Sequence, residues 1–241
     1  MSHRIINMWS GPRNLSTAMM YSWRSRADTT VWDEPMYGHY LVVTGVDHPG
    51  RDETIAATLT DATAVIAEML HGDSATPLRF YKNMAHHLVG FDVAIVDEME
   101  NYLLTRDPRD MLPSLAVGLG RAPVMRDTGF ADQITIVDRI EASGRRPIVV
   151  DSREVLKDPA SVLEQLCDAL DVAWDPAMLS WQSGPKPEDG VWAPYWYTRL
   201  HSTTGFEPYQ PKAVALTPEL EGIYAECAPL YERLSQYSMR A

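Results

Sequence analysis

Two stretches of this chain combine residue types suited to holding anions. The first, Ser10-Gly11-Pro12-Arg13-Asn14-Leu15-Ser16-Thr17, lies where an apolar run from Arg4 to Ser10 meets a helical pattern from about Asn14 to Trp23. A helix N-terminus carries unpaired backbone N–H groups and partial positive charge, so it favours phosphate or sulfate. Ser16 and Thr17 add hydroxyl donors, and Arg13 adds a permanent cation that can fork onto an oxyanion. A plain helix cap on Asn14 or Ser10 would use the same residues. The second stretch is Thr105-Arg106-Asp107-Pro108-Arg109-Asp110, with Ser114 eight positions beyond Arg106. Asp107-Pro108 reads as a cap and first helical position, which sets Arg106 at a strand end and Ser114 about two turns along the helix. An ion pair of Arg106 with Asp110 is the plainer alternative.

Groups able to move a proton lie at the ends of two of the apolar runs. His86 and His87 follow the run Leu78–Asn83, which also contains Lys82, and histidine titrates closest to neutral pH. Glu34 closes the run Thr29–Glu34, where Asp33-Glu34 equally suits a strand-end cap. Arg13 itself cannot be a base, because a guanidinium stays protonated in proteins. The first loop lacks the Gly-Lys-Ser/Thr corner of ATP- and GTP-binding loops.

The elements that must position these residues alternate in type. Apolar runs at Arg4–Ser10, Thr29–Glu34, Leu78–Asn83, Asn101–Thr105 and Pro147–Asp151 predict five strands, separated by helical patterns such as Glu53–Leu70. This is the pattern of an α/β protein with a parallel sheet covered by helices. Asp158-Pro159 opens a helix with an apolar stripe of Val162, Leu163, Leu166, Ala169 and Leu170. A last helix over 217–238 turns Leu220, Ile223, Tyr224, Cys227, Leu230, Tyr231 and Leu234 inward, with Pro229 expected to kink or split it. Pro113 is expected to bend the path to Ser114. Residues 182–210 show no period and read as a long loop or lid. Its Trp192, Tyr195, Trp196 and Tyr197 suit either an apolar acceptor site or a seal over the core.

The chain has 241 residues, a hydrophobic share of 45% and a charged share of 22%, which fit one soluble domain over 1–241. The net charge of −12 argues against nucleic acid as partner. No apolar stretch reaches the roughly 20 residues needed to span a bilayer, and the N-terminus lacks a secretory pattern. Cys167 and Cys227 fall among apolar residues and read as buried free thiols, consistent with a cytoplasmic location.

The first stretch resembles the 5′-phosphosulfate loop of the P-loop sulfotransferases, whose pattern is Pro-Lys/Arg-Ser-Gly-Thr/Ser-Thr. Here it reads Pro12-Arg13-Asn14-Leu15-Ser16-Thr17. Leu15 stands where the family has glycine, and a leucine is hard to place at positive φ, so the loop is expected to differ there. Arg106-Asp107-Pro108-Arg109-Asp110 with Ser114 is similar to the family's Arg-Asn/Asp-Pro-Lys/Arg-Asp and its following serine. Those side chains hold the 3′-phosphate of the donor, 3′-phosphoadenosine 5′-phosphosulfate (PAPS). Pro147 to Pro159 is also similar to a family segment, so the resemblance spans roughly Arg4 to Trp174. Of the family's closing Arg-Lys-Gly and Gly-x-Trp, only Gly184-Pro-Lys186 and Gly190-Val-Trp192 are found, and no role falls to Lys186, Trp192 or Arg199.

The resemblance implies a three-layer, P-loop NTPase-like fold with about five parallel strands. It implies a sulfotransferase that moves a sulfuryl group from PAPS to a hydroxyl or amine of a small-molecule acceptor, with no metal required. Donor binding falls to Arg13, Asn14, Leu15, Ser16, Thr17, Arg106 and Ser114. The base would be His86 or His87, displaced by two or three residues from the family's histidine, with Glu34 as second candidate. Arg13 and Lys82 would stabilise the developing charge. Two other readings remain open at this point: a kinase-like P-loop transferase using magnesium-ATP, and a catalytically silent nucleotide-binding relative.

Overall fold

A computed structural model describes residues 3–211 and 215–241 of the chain. The chain begins with strand β1 (Arg4–Ser10), turns through Gly11–Leu15 into helix α1 (Ser16–Arg24), and continues to β2 (Thr29–Asp33). Helices α2 (Tyr37–Thr44), α3 (Arg51–Ala57) and α4 (Ala62–His71) precede β3 (Leu78–Met84) and β4 (Glu100–Thr105). Next come α5 (Pro108–Leu119), α6 (Met125–Thr128), α7 (Phe130–Ala142) and β5 (Val149–Asp151). Helices α8 (Ser152–Lys157), α9 (Pro159–Ala169), the single turn α10 (Ala193–Trp196) and α11 (Pro218–Ser235) complete the chain.

The five strands form one sheet in the order β2-β3-β1-β4-β5, all paired in parallel. The alternation read from the sequence therefore holds. Successive residues of β1 supply opposite faces, as the two-residue strand period requires. Ile6 and Met8 pack with Met19 and Trp23 of α1 and Val162, Leu163 and Leu166 of α9. Trp9 packs with Met111 and Leu112 of α5, Ile136 and Val137 of α7, and Cys227 of α11. Covered on both sides, β3 is buried along its whole length, and its polar Arg79, Lys82 and Asn83 are buried with hydrogen-bond partners.

Several expected boundaries move. Helix α1 begins at Ser16, not near Asn14, because Arg13 and Leu15 both take positive φ (60° and 67°) and keep the turn open. Glu53–Leu70 is two helices, broken at extended Thr58 and restarted by Asp61, whose side chain caps the Ala64 N–H. Pro147 lies outside β5, whose ladder starts at Val149. Helix α11 runs unbroken past Pro229 and ends at Ser235, and α5 is likewise continuous through Pro113. Each proline removes one bond from a helix that packing on the sheet holds in place. Leu220, Cys227 and Leu234 of α11 are buried, and Cys167 and Cys227 are free thiols.

Strand order decides where a ligand can sit. The chain leaves β1 toward β2 on one side and leaves β4 toward β5 on the other. Between β1 and β4 the carboxyl-end loops diverge and open a crevice. Both anion-binding stretches end at that crevice, since Ser10 pairs with Leu104 one residue before Thr105.

Candidate active site

The turn after β1 meets the turn after β4 through three side chains. Arg13 Nε donates to Ser114 Oγ at 2.9 Å, and Arg106 Nη1 donates to the Arg13 carbonyl at 2.9 Å. The pair of Arg106 with Asp110 anticipated as an alternative does not form. Neither Arg13 nor Arg106 has a carboxylate partner among the described residues. Arg13 opens onto the cavity, while protein on its other sides, then Arg106 and Arg199, lowers its pKa. Burial is also the leading cause that lowers the pKa of half-buried Arg106. Two arginines without a carboxylate partner, in surroundings that disfavour their charge, leave this end of the cavity electropositive.

The loop that carries Arg13 is held by buried polar contacts. Asn14 Nδ2 donates to the Leu104 carbonyl at 3.2 Å, and Ser152 Oγ lies 2.8 Å from the Asn14 carbonyl and 2.9 Å from that of Thr105. Leu15 therefore does occupy the left-handed region, against the expectation that the loop must avoid it there. Its side chain packs against the core face shared by α1 and α9, offsetting a strain of about 1–2 kcal/mol. Ser16 and Thr17 open α1, which has no acidic residue in its first turn to neutralise the dipole.

The loop residues Arg13 to Thr17, with Arg106 and Ser114, line a cavity of about 540 Å³. Glu34, Lys82, His86 and His87 line the same cavity, so the donor-binding and catalytic candidates of the sequence meet there. Lys82 is in register with Asp33 on β2, and its Nζ donates to Asp33 Oδ1 (2.7 Å), Glu34 Oε1 and Tyr197 Oη (2.7 Å). Burial, as the largest effect, raises the proton affinity of Glu34 against the opposing pull of Lys82. Glu34 also sits at a φ of 45°, a third strained residue in the site.

The two histidines are walls as much as groups. His87 stacks against Tyr37 and against Tyr40 with ring centroids 4.6 and 4.5 Å away, and its Nδ1 lies 3.7 Å from Glu34 Oε2. Burial drives its pKa well down, and that of His86 to about 3, so both rings are neutral at neutral pH. Both Nδ1 atoms are buried without a hydrogen-bond partner. Tyr37, Tyr40 and His48, which sequence reasoning missed, complete this end of the cavity, and Tyr37 Oη lies 3.0 Å from His48 Nδ1. The Tyr37-x-x-Tyr40-Leu41 spacing of α2 was the available signal, since residues three and four apart share a helix face.

The part of the 182–210 segment from Trp192 onward lines the cavity. Trp192, Trp196 and Tyr197 line one end, and Arg199, Leu200, Phe206 and Tyr209 the other, whereas Tyr195 is exposed. Arg199 pairs with Glu207 at 2.6 Å. Lys186 lies outside the cavity, bonded to the carbonyls of Gln182 and Gly184. Among the described residues no group of three or more histidine, cysteine or carboxylate side chains could hold a metal ion. No helix among them is long and apolar enough to cross a membrane.

A five-stranded parallel sheet flanked by helices, with a tight turn and a helix after its central strand, defines an α/β protein with a P-loop-like architecture. The chain belongs to the sulfotransferase domain family, which it matches over residues 3–235. Its fold is similar to that of the sulfotransferase domain from the curacin biosynthetic pathway, with a TM-score of 0.56 and 15% identity over 95% of this chain and 98% of that one. It is also similar to a sulfotransferase from Alicyclobacillus acidocaldarius, with a TM-score of 0.55 and 12% identity over 100% of this chain and 98% of that one. Among curated proteins it is 34% identical over 231 residues to branched-chain-amino-acid aminotransferase-like protein 2 of Arabidopsis thaliana, a match covering 95% of this chain and 41% of the relative. Protein 1 of the same name is 34% identical over 236 residues, covering 97% of this chain and 42% of the relative. The chain thus spans about two-fifths of the length of these relatives.

Proposed function

We propose that the chain transfers a sulfuryl group from PAPS to a hydroxyl or amine of a small-molecule acceptor. The observation that carries this reading is the meeting of Arg13, Arg106 and Ser114 beside the unneutralised start of α1, in one cavity with Glu34 and Lys82. The residues present fit the donor: Arg106 with Ser114 suits one phosphate, and Arg13 with the N–H groups and hydroxyls of Ser16 and Thr17 suits the other. PAPS supplies the sulfuryl group and a phosphate leaving group. Arg106 and Ser114 would orient its 3′-phosphate, and Arg13 would balance the charge that develops on the leaving oxygen.

Glu34 is the base of this proposal. A neutral imidazole whose conjugate acid has a pKa of about 3, as at His86, takes a proton weakly, whereas burial makes the Glu34 carboxylate a stronger acceptor. His86 and His87 then shape the acceptor's place. The aromatic surround of Tyr37, Tyr40, Trp192 and Trp196 excludes water from the same end. The aminotransferase-like names of the longer plant relatives are not carried to this chain. Lys82 is the one lysine lining the cavity among the described residues, and all its N–H bonds are taken.

Calorimetry with adenosine 3′,5′-bisphosphate, and rates of transfer from PAPS to a panel of phenols, alcohols and amines, test the proposal. Arg106→Ala is expected to cost roughly 1.5–3 kcal/mol in nucleotide binding, and Glu34→Gln to lower kcat by about 10²–10⁴ with nucleotide affinity kept. Stabilisation by magnesium-ATP alone would select the kinase-like reading. Tight bisphosphate binding without transfer to any acceptor would select the silent one.

A further inference from the structure

Lys82 has three N–H donors and uses all three, on Asp33, Glu34 and Tyr197. The phenol of Tyr197 is equally committed. Its oxygen accepts from Lys82 Nζ at 2.7 Å and from Trp192 Nε1 at 2.9 Å, which occupies both lone pairs. Its single proton must then point to Asp33, whose Oδ2 and Oδ1 lie 2.8 and 3.0 Å away. The Gly190 N–H also donates to Asp33 Oδ2, at 3.1 Å. Two adjacent carboxylates therefore share one lysine on unequal terms. Asp33 receives three donors and is walled off from the cavity, while Glu34 receives one and lines it.

The remaining groups do not remove this asymmetry. His87 lies 3.7 Å from Glu34, beyond hydrogen-bond reach, and is neutral. Tyr37 on α2 faces Glu34 and Tyr21 on α1 faces Asp33, both as un-ionised phenols that burial, first of all, keeps from ionising. The unequal count of donors separates the roles of the two neighbouring carboxylates. Here two of the three donors on Asp33, from Gly190 and Tyr197, come from the 182–210 segment.

We propose that Tyr197 is a positioning residue for proton transfer: with the Gly190 N–H it fixes Asp33 and, through it, Lys82, leaving Glu34 to take the acceptor's proton. The acceptor's O–H or N–H bond breaks with its electron pair kept on oxygen or nitrogen, and that pair forms the new bond to sulfur. The sulfur–oxygen bond to the donor's phosphate breaks with its electrons on the leaving oxygen, and the proton ends on Glu34. The protonated Glu34 no longer holds Lys82 by charge, so one ammonium N–H is released as negative charge develops on the leaving group. This step rests on the sulfuryl-transfer reading, but the hold on Asp33 and Lys82 does not.

The test separates the two. The chain has four lysines, Lys82, Lys157, Lys186 and Lys212, so ¹⁵N-lysine labelling gives a simple spectrum in which Lys82→Arg identifies the Lys82 signal. That signal is expected to titrate with Glu34 in the unmodified protein and to lose the titration in Glu34→Gln. Tyr197→Phe removes a donor from the anionic pair and should raise the midpoint by about half a pH unit or more. Trp192→Phe, which weakens the Tyr197 hydroxyl as a donor, should move it the same way by less. A Lys82 signal that does not titrate, a titration that survives Glu34→Gln, or an unmoved midpoint in both aromatic variants overturns the proposal. In the transfer assay the acid limb of kcat/KM should shift upward with the midpoint, and a static limb also overturns it. A protein that shows the spectral shifts but transfers no sulfuryl group would sink the proposed function and leave the role of Tyr197 standing.

Discussion

Three non-glycine residues of the site, Arg13, Leu15 and Glu34, hold positive φ. Such strain persists only where neighbouring contacts over-determine the backbone. For Glu34 these contacts are its N–H to the Lys82 carbonyl at 2.7 Å and its carbonyl, which accepts from the Tyr37 N–H at 3.0 Å. For Leu15 the contact is side-chain packing against the core. This separates two effects that usually run together. Leu15→Ala loses the packing and keeps a Cβ at positive φ, while Leu15→Gly loses the packing and relieves the strain. The glycine variant should therefore be more stable than the alanine variant by about 1 kcal/mol, the reverse of their usual order in helices. Denaturant melts of the two variants decide it, and alanine as the more stable of the pair would mean that the strain is negligible.

At the scale of elements, the anion site depends on how α5 is started. Asp107 caps the Arg109 N–H at 2.9 Å and accepts from Arg153 Nη2 on α8 at 2.8 Å, which ties the turn carrying Arg106 to the next strand–helix junction. Asp107→Ala should lower stability by about 1–2 kcal/mol, with a parallel loss of bisphosphate affinity, measured by melting and calorimetry on the same samples. Affinity unchanged alongside the stability loss would show that Arg106 is placed without α5. The placement of the two arginine-bearing turns was legible in the sequence because each is a local strand–turn–helix pattern whose residues lie within a few positions. The meeting of Lys82 with Asp33 was not, since it follows from β2 lying beside β3, a matter of strand order that no local spacing encodes. Tyr197 was equally hidden. Its partners lie 115 and 164 positions away, and its loop has no period to reveal a buried face.

For the molecule as a whole, charge is unevenly spread: a chain of net charge −12 brings Arg13, Arg106 and Arg199 to one end of its cavity and neutral imidazoles to the other. Those imidazoles make stability depend on pH. Burial lowers the folded-state pKa of His48, of His87, and of His86 to about 3, below the ordinary value of 6.5 that the unfolded chain retains. Between those values the unfolded state binds more protons, so their contribution is present above about pH 6.5 and is lost as pH falls toward about 3. Glu34 and Asp151, raised chiefly by burial, act in the opposite sense over their own range, because the folded state then binds the extra proton. The histidine effect is isolated by His87→Phe, which keeps a flat ring against Tyr37 and Tyr40 and removes one titrating group. Each fully neutral buried imidazole costs up to about 1.4 kcal/mol per pH unit below its unfolded value. The fall in Tm from about pH 7.5 to 5.5 should therefore be smaller in the variant by a few degrees. An equal fall in both proteins would mean that His87 takes up its proton without leaving the folded state.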